Sequence, residues 1–196
     1  MIVVLFGPPG SGKGTQSIRV ARHLRVPHVA TGDMLRAEVA RGSALGREAE
    51  PLMSTGRLVP DDLIVRMIGA RINEPDAAGG ALLDGFPRTV PQAKALDAML
   101  GARSLRVDVV VSLRVDDDEL RRRVLDRAKI EGRADDTPEA FEQRLRTYGV
   151  ETAPVLDYYR GMGTRIVEVD GVGEIEDITR RITVSIAASG TVVPAK

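Results

Sequence analysis

The sequence predicts an α/β fold in which a five-stranded parallel sheet carries helices on both faces, and two observations support this. Five short β-branched or aliphatic runs recur along the chain, and segments with helical spacing of apolar residues separate them. Strand, helix, strand alternation leaves the strands parallel and both sheet faces covered. With 196 residues the chain can bury one good core but is short for two, so a single domain over 1–196 is expected.

The strand candidates are Ile2 to Phe6, His28 to Ala30, Ala81 to Leu83, Val107 to Leu113 and Arg165 to Val169. Residues 31 to about 74 and the polar stretch from Arg127 to Thr137 have no strand partner, so each reads as an insertion over the carboxyl edge of the sheet. Leu120, Val124 and Ala128 follow the acidic run Asp116 to Glu119, which suits a helix N-terminus electrostatically. Phe141, Leu145, Tyr148, Thr152, Val155 and Tyr159 form one helical stripe, read as a core-facing seam, with Pro154 placed to kink it. The tail from Ser189 to Lys196 has the composition of a frayed end.

Composition excludes several function classes. Lys plus Arg and Asp plus Glu number 28 each, so no global field recruits nucleic acid or an anionic membrane. The chain lacks cysteine, which removes disulfides and thiolate metal sites; no zinc is expected. Met1 to Phe6 lacks a basic leader and reads as a strand, and no apolar run approaches the roughly 18 residues of a membrane span. A cytoplasmic chain is expected, and a monomer, since no apolar surface stripe is left over.

Immediately after the first run stands Gly7-Pro8-Pro9-Gly10-Ser11-Gly12-Lys13-Gly14-Thr15, followed by helical spacing at Ile18, Ala21 and Leu24. Phosphate binding requires a loop in this place. Glycines let successive backbone N–H groups point at anionic oxygens, the helix adds the positive end of its dipole, and Lys13 reaches toward the terminal phosphates. The strict P-loop pattern has Ser or Thr directly after the lysine, where this chain has Gly14. That argues against a GTPase or motor ATPase with direct hydroxyl ligation of magnesium.

From this loop onward the sequence resembles the adenylate kinases, which share a glycine-rich loop ending Gly-Lys-Gly-Thr. Four further motifs follow in the family's order: Thr31-Gly32-Asp33-Met34-Leu35-Arg36, Gly56-Arg57-Leu58-Val59-Pro60-Asp61, Leu83-Asp84-Gly85-Phe86-Pro87-Arg88-Thr89 and Gly132-Arg133-Ala134-Asp135-Asp136. Together they reach from residue 1 to about 175. The resemblance implies a P-loop three-layer fold with an AMP-binding helical insertion at 31–60 and a short lid at 127–138. The implied reaction is reversible phosphoryl transfer, MgATP + AMP = 2 ADP.

The resemblance also implies roles. Gly10, Ser11, Gly12, Lys13, Gly14 and Thr15 would hold ATP phosphates, Arg127 would stack on the ATP adenine, and Gly173 would face that adenine through its backbone. Thr31, Arg36, Arg57, Leu58, Val59, Gly85, Phe86, Pro87, Arg88 and Gln92 would contact AMP, with a cis peptide before Pro87. Arg133 and Arg144 would touch both AMP and the phosphoryl group in flight, which puts them with Lys13 and Arg88 in the catalytic set. Asp84, and Asp33 as a second partner, would hold magnesium through water. The residue types fit: a guanidinium forks onto phosphate oxygens, a glutamine amide matches a purine edge, and magnesium keeps much of its hydration shell. A UMP or CMP kinase on the same fold, a kinase of a small hydroxyl metabolite and a non-catalytic nucleotide-binding module are the competing readings. Thr31, Thr89 and Gln92 favour AMP over the first; the second would need a base in the acceptor region, and none is evident; the third has no use for Arg36, Arg88, Arg133 and Arg144 together.

Overall fold

This computed structural model describes the backbone of residues 1–131 and 137–188, and the side chains of all of these except 127–131. Five strands, β1 (Ile2–Phe6), β2 (His28–Ala30), β3 (Ala81–Asp84), β4 (Val107–Arg114) and β5 (Arg165–Asp170), form one sheet in the order β2-β3-β1-β4-β5. Every neighbouring pair is parallel, with Val4 opposite Leu83 on one side and Val110 on the other. The expected strands stand within a residue of their predicted ends.

All five β1 residues are buried, and the period of two sends alternate side chains to opposite faces. Ile2, Val4 and Phe6 pack with Ile64 and Ile68 of α4 (Asp61–Ile72), Leu96 and Leu100 of α5 (Val90–Gly101) and Val155 and Tyr159 of α8 (Ala153–Gly161). Val3 and Leu5 pack with Val20 and Ala21 of α1 (Lys13–Leu24) and with Ile178, Ile182 and Ile186 of α9 (Ile175–Ala187). Helices thus cover both faces, which is why these strands are apolar throughout rather than alternating.

The 31–74 insertion is helical, as its pattern predicts: α2 (Thr31–Ala40), α3 (Ala44–Ser54) and then α4. Ser43 caps α3, its hydroxyl accepting from Gly46 N at 2.9 Å. On the other side of the sheet edge α6 (Asp117–Glu131) begins where the acidic run predicts, with Asp116 Oδ1 accepting from Glu119 N at 2.9 Å. Leu120 and Val124 bury against Phe141 of α7 (Pro138–Thr147).

The long seam is two helices rather than one kinked helix. A π turn at Tyr148–Thr152 separates α7 from α8, and Pro154 lies in the first turn of α8. Proline lacks the N–H and its ring crowds the carbonyl four residues back, so the preceding turn widens. Phe141 therefore joins the α6 cluster while Val155 and Tyr159 enter the main core. Among the described residues no helix is long and apolar enough to cross a membrane. The lid segment at its Gly132 to Asp136 run and the tail 189–196 lie outside the described residues.

Candidate active site

Four chain segments leave the carboxyl ends of β1, β2, β3 and β5 and meet along one sheet edge, the edge at which open α/β sheets hold ligands. α1 packs on one sheet face and α5 on the other, so a crevice opens between β1 and β3.

Gly10 and Gly12 take φ of +85° and +86°, which side chains rarely adopt. A Cβ on Gly10 would also lie 2.8 Å from the Leu120 carbonyl oxygen, so the loop passes too close to α6 for any other residue. Gly12 caps α1 with no side-chain acceptor, which leaves the first helical N–H groups for an anion. Lys13 Nζ donates to Gly7 O at 2.5 Å and Pro8 O at 2.8 Å, folding its charge over the loop. Ser11 is buried here, while Gly14 and Thr15 face out from the first turn of α1.

Asp84 ends β3, and a Cβ on Gly14 would stand 3.8 Å from its Oδ2. Burial alone would push the Asp84 carboxyl up. The hydrogen bond from His28 at 3.3 Å and the charges of Lys13 and Arg88 outweigh it, and the carboxyl stays below the usual range. An ionised carboxylate beside the phosphate loop is a fitting partner for a hydrated magnesium ion, which needs few protein ligands when phosphates supply the rest. Asp33, the second residue expected there, accepts from Arg36 Nη2 at 2.6 Å. No cluster of three His, Cys, Asp or Glu residues able to hold a metal occurs among the described residues.

Arg36, Arg88 and Arg144 converge. Burial, and then the like charge of Arg144, pull Arg88 below the ordinary guanidinium value; Asp84 opposes this and Arg36 adds to it. Gathering two further cations around one buried guanidinium costs free energy unless an anion arrives. Arg88 Nε donates to Gly85 O at 2.8 Å, and Gly85 takes φ of +77° in the turn that carries the cis Phe86–Pro87 peptide. Arg144 Nη2 reaches Met53 O at 3.5 Å, and a Cβ on Gly56 would lie 2.5 Å from Ala140 O, so the end of α3 presses on α7.

The other residues expected on the acceptor and adenine sides stand on these elements and loops. Thr31 opens α2 with its hydroxyl buried and without a hydrogen-bond partner. Arg57, Leu58 and Val59 link α3 to α4, with Val59 buried. Gln92 is buried in the first turn of α5. Gly173, at φ +119°, lies in the loop between β5 and α9. The Arg127 side chain and all of Arg133, Asp135 and Asp136 fall outside the described residues.

Sequence reasoning missed two participants. His28 meets Asp84 because β2 lies beside β3, a pairing that only the strand order reveals. Arg123 Nη1 donates to Gly171 O at 3.0 Å, and a Cβ on Gly12 would lie 3.8 Å from the same nitrogen. Its guanidinium therefore bridges the phosphate loop and the β5–α9 loop. In sequence it is one of three consecutive arginines on a helix, which reads as solvated charge.

A family model described as adenylate kinase matches residues 5–164. The chain belongs to the adenylate kinase family. It is 50% identical over 188 residues to an adenylate kinase of Stenotrophomonas maltophilia, an alignment covering 96% of this chain and all of that one. Adenylate kinases of Phenylobacterium zucineum, 48% identical with 96% and 99% covered, and of a Nocardioides species, 47% identical with 93% and 95% covered, are similar over comparable lengths. The chain is accordingly a phosphotransferase.

Proposed function

We propose that the chain catalyses reversible phosphoryl transfer between magnesium ATP and AMP, giving two ADP, by positioning and electrostatic stabilisation without a general base. The observation that carries the reading is the convergence of Arg36, Arg88 and Arg144 beside the Lys13 loop, one cationic group placed to receive an acceptor phosphate next to a site for donor phosphates. The acceptor oxygen of AMP belongs to a phosphate already largely ionised at neutral pH, since its second pKa is about 6. No proton has to be removed. What remains is to align two polyanions, screen their repulsion and exclude water.

In this reading the loop from Gly10 to Thr15 and Lys13 hold the donor phosphates, Arg127 stacks on the ATP adenine, and Arg123 supports the donor side from α6 through its contact with Gly171. Arg36 and Arg88 clamp the AMP phosphate, while Arg144, and Arg133 from the lid, spread over the group in transfer. Thr31, the Arg57 to Val59 backbone and Gln92 hold the AMP nucleoside. Magnesium, when bound, neutralises phosphate charge; Asp84 would hold it through water, and the Asp33 contact with Arg36 leaves Asp33 the weaker candidate.

The test is ADP formation from magnesium ATP with AMP, UMP, CMP or GMP supplied separately, beside a control without acceptor. Rapid, reversible formation with AMP alone is the expected result. Preference for another monophosphate would overturn the acceptor assignment, and binding without transfer would favour a regulatory module.

A further inference from the structure

Asp61 belongs to a motif that marks the family, yet the mechanism above gives it no task. Its ordinary role would be electrostatic, since it stands in the first turn of α4 where a carboxylate complements the helix dipole. Its contacts point elsewhere. Oδ1 accepts from Gln92 Nε2 at 2.7 Å and Oδ2 accepts from the Thr89 hydroxyl at 2.8 Å, so both oxygens are spent on the start of α5. The other end of the Gln92 amide is held as firmly: Oε1 accepts from Arg88 N at 2.7 Å.

These partners are chemically one-sided. An ionised carboxylate only accepts, and a backbone N–H only donates. The NH2 of Gln92 must face Asp61 and its carbonyl must face Arg88. Turning the amide over would set carbonyl against carboxylate and NH2 against N–H, two repulsions at once. The Gln92 amide has two N–H groups and two carbonyl lone pairs, and one of each remains. The Watson–Crick edge of adenine offers a donor at N6 and an acceptor at N1, whereas hypoxanthine inverts both with its O6 and N1–H. A glutamine free to turn over could serve either edge. A clamped one cannot.

We infer that Asp61 is a positioning residue for base selection: with the Arg88 amide it locks Gln92 in the one orientation that accepts a 6-aminopurine and rejects a 6-oxopurine. The inference rests on the reading of Gln92 as the contact to the AMP base. Its specificity comes from an orientation withheld from the wrong base as much as from bonds offered to the right one.

The experiment compares kcat/KM for AMP and for inosine monophosphate in wild type, Asp61→Ala, Asp61→Leu, Asp61→Asn, Gln92→Ala and the double variant Asp61→Ala/Gln92→Ala. Leu has nearly the shape of Asp and serves if Ala does not fold. Expected for Ala or Leu is a fall of about tenfold in the preference for AMP over inosine monophosphate, the size of one hydrogen bond, carried by KM for AMP with kcat little changed. Asn retains most of the preference, because its carbonyl still accepts from Gln92 while its NH2 donates to the Thr89 oxygen. In the Gln92→Ala background the Asp61 change has no further effect on preference.

Wild-type preference in both Ala and Leu would overturn the inference. So would a loss in Asn as large as in Ala, or an equal loss from Asp61→Ala with Gln92 already removed. Unchanged preference in Gln92→Ala alone would instead sink the underlying reading of Gln92, and the two failures are thereby told apart.

Discussion

Lys13 donates to two loop carbonyls within 2.8 Å, so its ammonium is held where a donor phosphate would displace those contacts. Lys13→Met keeps most of the stem and removes the charge. It is expected to lower kcat/KM about 10²–10³-fold with an unchanged circular dichroism spectrum, in line with the loss of one preorganised donor to developing charge. Near-wild-type turnover would take Lys13 out of the mechanism. Asp84 makes a separate prediction about pH. Its folded carboxyl lies below the ordinary value although burial opposes this, because His28, Lys13 and Arg88 favour the ionised form. A lowered folded pKa contributes stability above the unfolded value of about 3.9, and that contribution is lost as pH falls through the folded value. Urea midpoints measured from about pH 5 down to about pH 2.5 should therefore fall more steeply in wild type than in Asp84→Asn; parallel curves would count against the ionised carboxylate. Lys13, Asp84 and Arg88 were legible in the sequence because their motifs encode chemistry at fixed spacing. His28 and Arg123 were not, since each meets its partner across a sheet or between loops 48 or more residues apart.

At the scale of elements the strand pattern was legible almost to the residue, because a strand buried on both faces leaves an uninterrupted apolar run such as Ile2 to Phe6. The seam from Phe141 to Tyr159 was legible as core but not as two helices. Apolar spacing shows which positions are buried but not the hydrogen-bond pattern that joins them, so the stripe does not report the break at Pro154. The insertion depends on one close approach between helices. A Cβ on Gly46 would lie 2.2 Å from Glu38 O and 2.7 Å from Val39 N, backbone atoms of α2 that cannot move aside alone. Gly46→Ala must therefore part α3 from α2, at a cost of about 1–3 kcal/mol. Because α2 carries Thr31 and Arg36 and the phosphate loop lies elsewhere, KM for AMP should rise well above any change in KM for ATP. Steady-state kinetics with each substrate varied in turn reads the difference, and an equal rise in both would show that the distortion reaches the sheet.

The whole molecule has formal net charge zero, yet it gathers arginines at one edge of its sheet. A neutral protein offers no long-range field to steer a polyanion, so capture has to come from surfaces brought together around it. The contacts of Gly56 with Ala140 and of Arg144 with Met53 are where the AMP-side insertion meets α7 in this structure. They join two parts of the chain that otherwise pack on different elements. We propose that residues 31–60 close over AMP and residues 127–138 over ATP, since transfer between phosphates must exclude water that would compete as acceptor. Among the described residues neither segment contributes a strand to the sheet, so opening either need not disrupt the strand pairing and can cost less than global unfolding. An inhibitor that mimics both substrates, bis-adenosine pentaphosphate, should then slow amide hydrogen exchange in both segments while leaving β1, β3 and β4 unchanged. Protection of 31–60 by AMP alone, without protection of 127–138, would show that the two closures are separable. Exchange unaltered in both segments by the double mimic would mean that the site is already closed without ligand, and water exclusion would then have to come from the fixed walls of the crevice between β1 and β3.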